Sequence, residues 1–317
     1  MTSTRPAVLV TRRVPASVRR VLDAACDVEV WAGEDPMPRP ELLARVAGTQ
    51  GLVCVITDRI DAEVLDAGPA LRVVANVAVG YDNVDVGQAR SRGVVVTNTP
   101  DVLTGAVAEF TWGLILAITR RIPEGDRLVR RTGWKGWRLD FMLGTELSGK
   151  QLGIVGAGRI GRAVAAGAPT FGMTAVFAAR PGTVPGPDRM SLDQLLHTSD
   201  VVSLHVPLTD ETRQLIDRQC LTRMKRSAFL INTARGPVVD EAALAWALKE
   251  HLLAGAALDV YEAEPAVRRE LLALENVVLA PHLGSATRET RTGMAELAAR
   301  NVLAVLAGDP ALTPIDV

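Results

Sequence analysis

The 317-residue chain holds only three cysteines, Cys26, Cys54 and Cys220, set far apart. An odd, dispersed set excludes a disulfide framework and argues against zinc, so no metal is expected and a reducing compartment is. Histidine is scarce too, with four in the chain. Charge excess is missing: 35 Lys and Arg face 36 Asp and Glu, leaving a net charge of −1 with the positives scattered. Without a basic stripe, nucleic acid is not an expected partner. No uninterrupted apolar run approaches the roughly 20 residues that span a bilayer, so no membrane association is expected. The first residues, "MTSTRPAVLVTRRVP", lack a long apolar core ahead of their arginines. No signal peptide is expected, and the cytoplasm is the expected location. Low-complexity segments and internal repeats are absent.

What is present is an ordinary globular composition, 48% hydrophobic and 22% charged, over a length that suggests two domains. In the first third, "AVLVT" (7–11), "DVEVWA" (27–32), "LVCVIT" (52–57), "LRVVANV" (71–77) and "GVVVTNT" (93–99) read as strands. Between them "PASVRRVLDAA" and "PELLARVAG" carry helical spacing. A long helical stretch, "VLTGAVAEFTWGLILAITRRI", begins near Val102, followed by the tryptophan-bearing connection "GWKGWRLDFMLGTELSGK". At Gln151 the pattern restarts with strands "QLGIVG", "TAVFAA", "VVSLHVP", "SAFLINTA", "GAALDVY" and "NVVLAP" and helices such as "DEAALAWALKEHL". A last helix, "ETRTGMAELAARNVLAVLAG", is expected to pack back on the first domain. Apolar strands alternating with helices predict an α/β chain of two doubly wound parallel-sheet domains.

One segment carries a dinucleotide signature. Strand "QLGIVG" runs into Gly156-Ala157-Gly158-Arg159-Ile160-Gly161 and then a helix, "RAVAAGAPTFG". Gly156 suits the tight turn, Gly158 the close approach of a pyrophosphate, and Gly161 close helix–strand packing. The helix N-terminus adds unpaired N–H groups and a partial positive charge. A glycine-rich turn kept for packing alone is the competing reading. In an NAD site a carboxylate follows about twenty residues later to hold the ribose 2′-hydroxyl. Here that place reads Ala179-Arg180-Pro181. A 2′-phosphate is repelled by a carboxylate and gripped by a guanidinium, so Arg180 favours NADP(H), with NAD(H) possible. A solvated loop arginine is the alternative.

Three later segments put ionisable residues at strand ends: Arg235 in "INTARGPVVD", Asp259, Glu262 and Glu264 in "ALDVYEAEP", and His282 in "LAPHLGSAT". Carboxyl ends of parallel strands are where ligands bind in such sheets. Reduction of a 2-keto acid needs a fixed cation for the substrate, a general acid for the developing alkoxide and a group that tunes the acid. Arg235, His282 and Glu264 fit those roles, since a carboxylate beside an imidazole favours the imidazolium. On residue type and position alone, a strand-end ion pair, a structural histidine and a turn glutamate remain open. His197 and His251 read as helical and His205 as inside a strand, which makes them weaker candidates.

Taken together, "VAVGYDNVDV", "VTNTPDVLTGAVAEF", "LGIVGAGRIG", "HVPLTDET", "LINTARGPVVDEAAL", "ALDVYEAEP" and "APHLGSAT" resemble the D-isomer-specific 2-hydroxyacid dehydrogenase family nearly end to end. Within it, "VTRRVP" and "GLVCVITDRID" are most similar to glyoxylate/hydroxypyruvate reductases. The resemblance implies a Rossmann cofactor domain (100–286) inserted in a flavodoxin-like substrate domain (1–99 plus 287–317). It implies that Arg235 binds the 2-keto acid, that His282 donates the proton with Glu264 as its partner, and that backbone at Val79 and Gly80 holds the substrate carboxylate. It puts Thr104 and Asp259 at the nicotinamide end, with Thr233, Ala234 and Gly284 also along the cofactor. Pro207 and Thr212 would line the adenosine side, beside Gly156, Gly158, Arg159, Ile160 and Gly161, and Arg180 would take the 2′-phosphate. A homodimer is implied, with the helix from Val102 at its interface. Trp134 or Trp137 would then reach a neighbour's site, core or interface packing being the other readings.

Departures within the family also inform. Glu264 argues against the formate dehydrogenase branch, and Ala78 before Val79-Gly80 against the phosphite-oxidising branch. The chain ends soon after its last helix, so no regulatory extension is expected. The resulting expectation is an NADPH-preferring reductase of glyoxylate and hydroxypyruvate that yields D-2-hydroxy acids. A 2-ketogluconate-type or other D-2-hydroxyacid dehydrogenase is the enzymatic alternative. A nucleotide-sensing, corepressor-like scaffold is the alternative of another class.

Overall fold

The computed structural model describes residues 5–180, 182, 186 and 188–316. They form two compact units, Met1–Leu103 with Thr287–Val317, and Thr104–Ala286.

The first unit alternates β1 (Ala7–Val10), α1 (Ala16–Ala25), β2 (Asp27–Val30), α2 (Arg39–Val46), β3 (Gly51–Cys54), α3 (Ala62–Ala67), β4 (Val73–Asn76), α4 (Val86–Ser91) and β5 (Val95–Thr97). The strands pair in parallel in the order β2-β1-β3-β4-β5, the flavodoxin-like winding. Period-two alternation gives each face its own core. Leu9, Leu52, Cys54 and Val74 face Leu42, Val46, Val64 and Leu65 from α2 and α3. Val8, Val10, Val53 and Val73 face α1 and the final helix α12 (Arg288–Ala307), through Leu22, Ala298 and Val302. Each such buried aliphatic side chain contributes roughly 1.5–3 kcal/mol, which is why the apolar strands are covered on both sides. Asp61 and Asp85 cap α3 and α4 by accepting from Val64 and Gln88 N–H.

The second unit opens with α5 (Thr104–Thr119) and α6 (Ile122–Arg130). The long helix expected over 102–122 is α5, ending at Thr119, and α6 is a further helix almost wholly beyond that stretch. Pro123 cannot donate to the Thr119 carbonyl, so the chain breaks there and Arg121 turns left-handed, φ 55°. Then follow β6 (Gln151–Val155), α7 (Arg159–Gly167), β7 (Thr174–Ala178), β8 (Arg189–Met190), α8 (Leu192–Thr198), β9 (Val201–Leu204), α9 (Arg218–Arg223), β10 (Phe229–Asn232), α10 (Glu241–Lys249), β11 (Gly255–Leu258), α11 (Arg269–Leu272) and β12 (Val277–Leu279). All seven strands are parallel, in the order β12-β11-β10-β9-β6-β7-β8. This is the Rossmann winding, and its order reverses between β6 and β9. The two-residue β8 was not foreseen, being too short to show an alternation. Among the described residues no helix is long and apolar enough to cross a membrane.

Candidate active site

The glycine loop leaves the carboxyl end of β6, at the switch point. Its three glycines are required for different reasons. Gly156 sits at φ 110°, and a Cβ there would lie 2.5 Å from the His205 carbonyl oxygen. A Cβ on Gly161 would overlap the Gly156 carbonyl oxygen. Both are demanded by the protein's own backbone. Around Gly158, by contrast, a Cβ would meet nothing within 4 Å. Its backbone, φ −74° and ψ −170°, is open to any residue. Packing gives no reason for glycine there, whereas a ligand seated against the backbone does. Gly158 caps α7 without a side-chain hydrogen bond, so Arg159, Ile160 and Gly161 bring N–H groups of a first helical turn to that space. Arg162, one turn on, braces the loop by donating to the Ala157 carbonyl at 2.9 Å. These features fit a dinucleotide pyrophosphate.

Ala179 and Arg180 follow directly on β7, the strand beside β6. Ala179 N–H still pairs with Met190 at 2.8 Å, and Arg180 is exposed. Pro181 lies outside the described residues. Beyond β9, Pro207 is exposed, and Thr212 binds its own loop, donating to the Pro207 carbonyl at 2.6 Å and accepting from Thr209 N–H. Thr104 opens α5. Thr233, after β10, shares a 3.0 Å hydroxyl contact with the buried Thr111 of α5.

Three segments at neighbouring strand ends then converge. After β10, the buried Asn232 accepts from Ala234 N–H at 3.1 Å and donates to the Arg235 carbonyl at 2.9 Å, which sets the bend carrying Arg235. After β11, Asp259 is 1% exposed, and burial pushes its carboxyl up even though Leu283 and Gly284 N–H groups donate to it at 2.6 and 2.8 Å. Its carbonyl accepts from His282 N–H at 2.9 Å. Those three bonds hold His282 at φ 54°, a left-handed conformation that costs a non-glycine residue about 1 kcal/mol or more. The turn aims the ring at Glu264, whose Oε2 lies 2.8 Å from Nδ1. Burial alone would raise the Glu264 carboxyl. The bond and charge of His282, the Tyr261 N–H and the Arg235 charge outweigh it and hold the carboxyl below its ordinary value. Glu264 is therefore a carboxylate, and with Nδ1 committed to it, Nε2 is the ring nitrogen that can deliver a proton.

The other histidines separate from this one. His205 lies one residue past β9, not inside it, although its N–H still pairs with Val155. Its ring contacts Ser203 through Nε2, Nδ1 is buried with no partner among the described residues, and burial pushes its pKa down to about 4. It is neutral near pH 7 and cannot serve as the acid. His197 is helical, on α8. His251 is not: α10 ends at Lys249, and His251, at φ 51°, occupies the left-handed position that closes it, with Leu252 N–H returning to Ala247.

Several supporting groups escaped the sequence reading. Besides Asn232 and Arg162, the buried Glu241 accepts from Glu262 N–H at 2.6 Å. Gly236 is pressed against the Tyr261–Glu262 peptide, where a Cβ would overlap backbone. Both hold the segment that presents Glu264. Within the other unit, Val79 and Gly80 follow β4, and their N–H groups have no partner among the described residues.

Comparison with known proteins identifies the family. The sequence profile of the D-isomer specific 2-hydroxyacid dehydrogenase, NAD binding domain, matches residues 112–284. The glyoxylate reductase of Thermofilum pendens is 50% identical over 97% of this chain and 94% of its own. That of Thermococcus kodakarensis is 50% identical over 96% and 94%. A crystal structure from Thermus thermophilus superposes with a TM-score of 0.92 at 48% identity, covering 98% of this chain and 100% of that one. An NADPH-dependent glyoxylate/hydroxypyruvate reductase from Sinorhizobium meliloti, in complex with NADP and malonate, gives 0.86 at 34% identity over 98% and 97%. With this match over nearly its whole length, the chain belongs to the D-isomer-specific 2-hydroxyacid dehydrogenase family, as an NAD(P)-dependent, glyoxylate reductase-like enzyme.

Proposed function

We propose that the protein reduces small 2-keto acids, glyoxylate and hydroxypyruvate foremost, to D-2-hydroxy acids with NADPH as the preferred reductant. The observation that carries the proton chemistry is the 2.8 Å contact between His282 Nδ1 and Glu264, within reach of the Arg235 charge. When bound, the cofactor supplies the hydride. Arg235 binds the keto acid and polarises its carbonyl, and His282 delivers a proton from Nε2 to the oxygen as charge develops there. Glu264 fixes the ring and stabilises its charged form. The N–H groups of Val79 and Gly80 take the carboxylate. Thr104 and Asp259 lie at the nicotinamide end, Thr233, Ala234 and Gly284 elsewhere along the cofactor, and Pro207 and Thr212 on the adenosine side.

The NADPH preference rests on Ala179-Arg180 at the end of β7. An acid there would repel a 2′-phosphate, and an exposed guanidinium attracts it. The S. meliloti relative, an NADPH-dependent enzyme, is consistent with that choice. The test is kcat/KM for glyoxylate, hydroxypyruvate and 2-ketogluconate with each cofactor, in the parent and in Arg180→Ala. NADPH is expected to win in the parent by at least tenfold. In the variant NADPH should lose about tenfold with NADH unmoved, the loss of one charge-assisted phosphate contact. Equal use of the two cofactors by the parent would refute the preference, and a strong bias to 2-ketogluconate would refute the substrate class.

The glycine loop provides a separate check. Gly158→Ala should fold normally yet bind NADPH at least tenfold more weakly, because the added methyl projects into ligand space. Gly156→Ala should lower the melting temperature, its Cβ being barred by φ and by His205. If the two variants behaved alike, the division of roles within the loop would be wrong. The expected partner is a second copy of the chain, through the helix from Val102, with the exposed Trp134 or Trp137, 57% and 79% accessible, reaching the neighbour.

A further inference from the structure

The segment after β4 binds three successive carbonyls and leaves the N–H groups between them uncommitted. The Ala78 carbonyl accepts from Thr99 N–H at 2.8 Å, the Val79 carbonyl from Asn98 Nδ2 at 2.8 Å, and the Gly80 carbonyl from Asn76 Nδ2 at 2.9 Å. In a planar trans peptide the C=O of one residue and the N–H of the next point in opposite directions. The bond from Thr99 therefore turns Val79 N–H the other way, and the bond from Asn98 does the same for Gly80 N–H. Two adjacent N–H groups, each backed by a bond on the far side of its peptide, can serve together as an anion receptor. Neither direction is set by Val79 or Gly80 itself.

Asn98 is in turn held from behind. Its carbonyl accepts from Thr313 Oγ1 at 2.6 Å, and its N–H donates to the Thr313 carbonyl at 3.3 Å. Thr313 lies beyond α12, in a segment clipped to the sheet by Ile315 N–H on the Val96 carbonyl, 2.9 Å. The fully buried Asn301 of α12 accepts from Leu312 and Thr313 N–H and donates to Thr313 Oγ1 at 2.9 Å. The order is Asn301, Thr313, Asn98, Val79–Gly80. Asn76 secures the far end through Asn83, at 3.0 Å, which itself donates to the Val55 and Asp58 carbonyls.

We propose that Asn98 is the positioning residue of the substrate-carboxylate receptor at Val79 and Gly80, and that the C-terminal segment serves the same device through Thr313. The inference rests on the assignment of the carboxylate to those two N–H groups. Without Asn98 the Val79–Gly80 peptide is free to rotate, the receptor loses its aim, and binding of the carboxylate suffers before turnover does.

The test compares Asn98→Ala, Asn98→Ser, Thr313→Val and the Asn98→Ala/Thr313→Val double variant in four readouts: KM for glyoxylate, kcat, the inhibition constant of oxalate and Kd for NADPH. Asn98→Ala is expected to raise KM and the oxalate constant together by about tenfold, as one lost hydrogen bond to an anion-binding backbone would, with kcat within about twofold and NADPH affinity unmoved. Serine, which keeps a shorter donor, should restore part of the loss. Thr313→Val should raise the same two constants about threefold alone and add nothing to Asn98→Ala, because it acts through Asn98. An unchanged KM in Asn98→Ala, or a parallel fall in kcat, NADPH affinity and melting temperature, would overturn the proposal. So would additive losses in the double variant, for the Thr313 link. Should Asn98→Ala not fold, Thr313→Val and Asn98→Ser carry the same comparison. A parent enzyme that does not turn over glyoxylate would overturn the functional reading itself, an outcome visible before any variant is made.

Discussion

Arg235→Ala should lose roughly a thousandfold in kcat/KM for glyoxylate, about 4 kcal/mol of transition-state binding, while Kd for NADPH stays within about twofold. The size follows from what the side chain faces. It is the cation assigned to a charged substrate, and its bend is set independently by Asn232 on either side. Truncation leaves both Asn232 bonds in place and removes the charge together with the guanidinium's own 2.9 Å bond to the Ala234 carbonyl. Arg235→Lys keeps the charge without the planar fork and should recover part of kcat/KM, at a raised KM. Steady-state kinetics with a fluorescence titration of NADPH reads both quantities. Near-normal turnover in Arg235→Ala would remove Arg235 from the mechanism.

His282→Gln should cost about 10²–10⁴ in kcat, the usual worth of a positioned general acid, with little change in KM. Its neighbour gives the pH signature. The folded Glu264 carboxyl is held below its ordinary value of 4.5, so any acid-side loss through this group falls below that pH, both in activity and in the stability it contributes above it. Glu264→Gln removes the carboxylate opposite Nδ1 and frees the ring to turn, so kcat should fall at least tenfold while NADPH affinity stays put. An unchanged kcat in Glu264→Gln would mean that Glu264 does not position the acid.

The doubly wound architecture was legible because buried parallel strands such as "GLVC" and "FLIN" are continuous apolar runs between amphipathic helices. Arg235, Glu264 and His282 were legible as positions for a related reason: they lie in the segments that follow β10, β11 and β12, at the strand ends where such sheets bind ligands. What escaped depends on tertiary neighbours rather than on local pattern. Asn98 owes its setting to Thr313, 215 residues away, and Glu241 and Asn301 are buried polar groups that accept from backbone N–H groups of other segments. A lone amide or carboxylate in a strand or helix gives no sign of which peptide it will brace. α6 escaped because its residues after Ile122, "PEGDRLVR", open on a proline and are mostly polar, and His251 read as helical because its left-handed turn lacks the usual glycine.

The measurement that bears most directly on this account is the initial rate of NADPH oxidation by the parent enzyme across a glyoxylate series near pH 7. The expected result is saturable consumption, with kcat/KM at or above about 10⁴ M⁻¹s⁻¹, that disappears in Arg235→Ala. Tight NADPH binding without consumption on any 2-keto acid would contradict it, and would instead describe a protein that senses the nucleotide without using it.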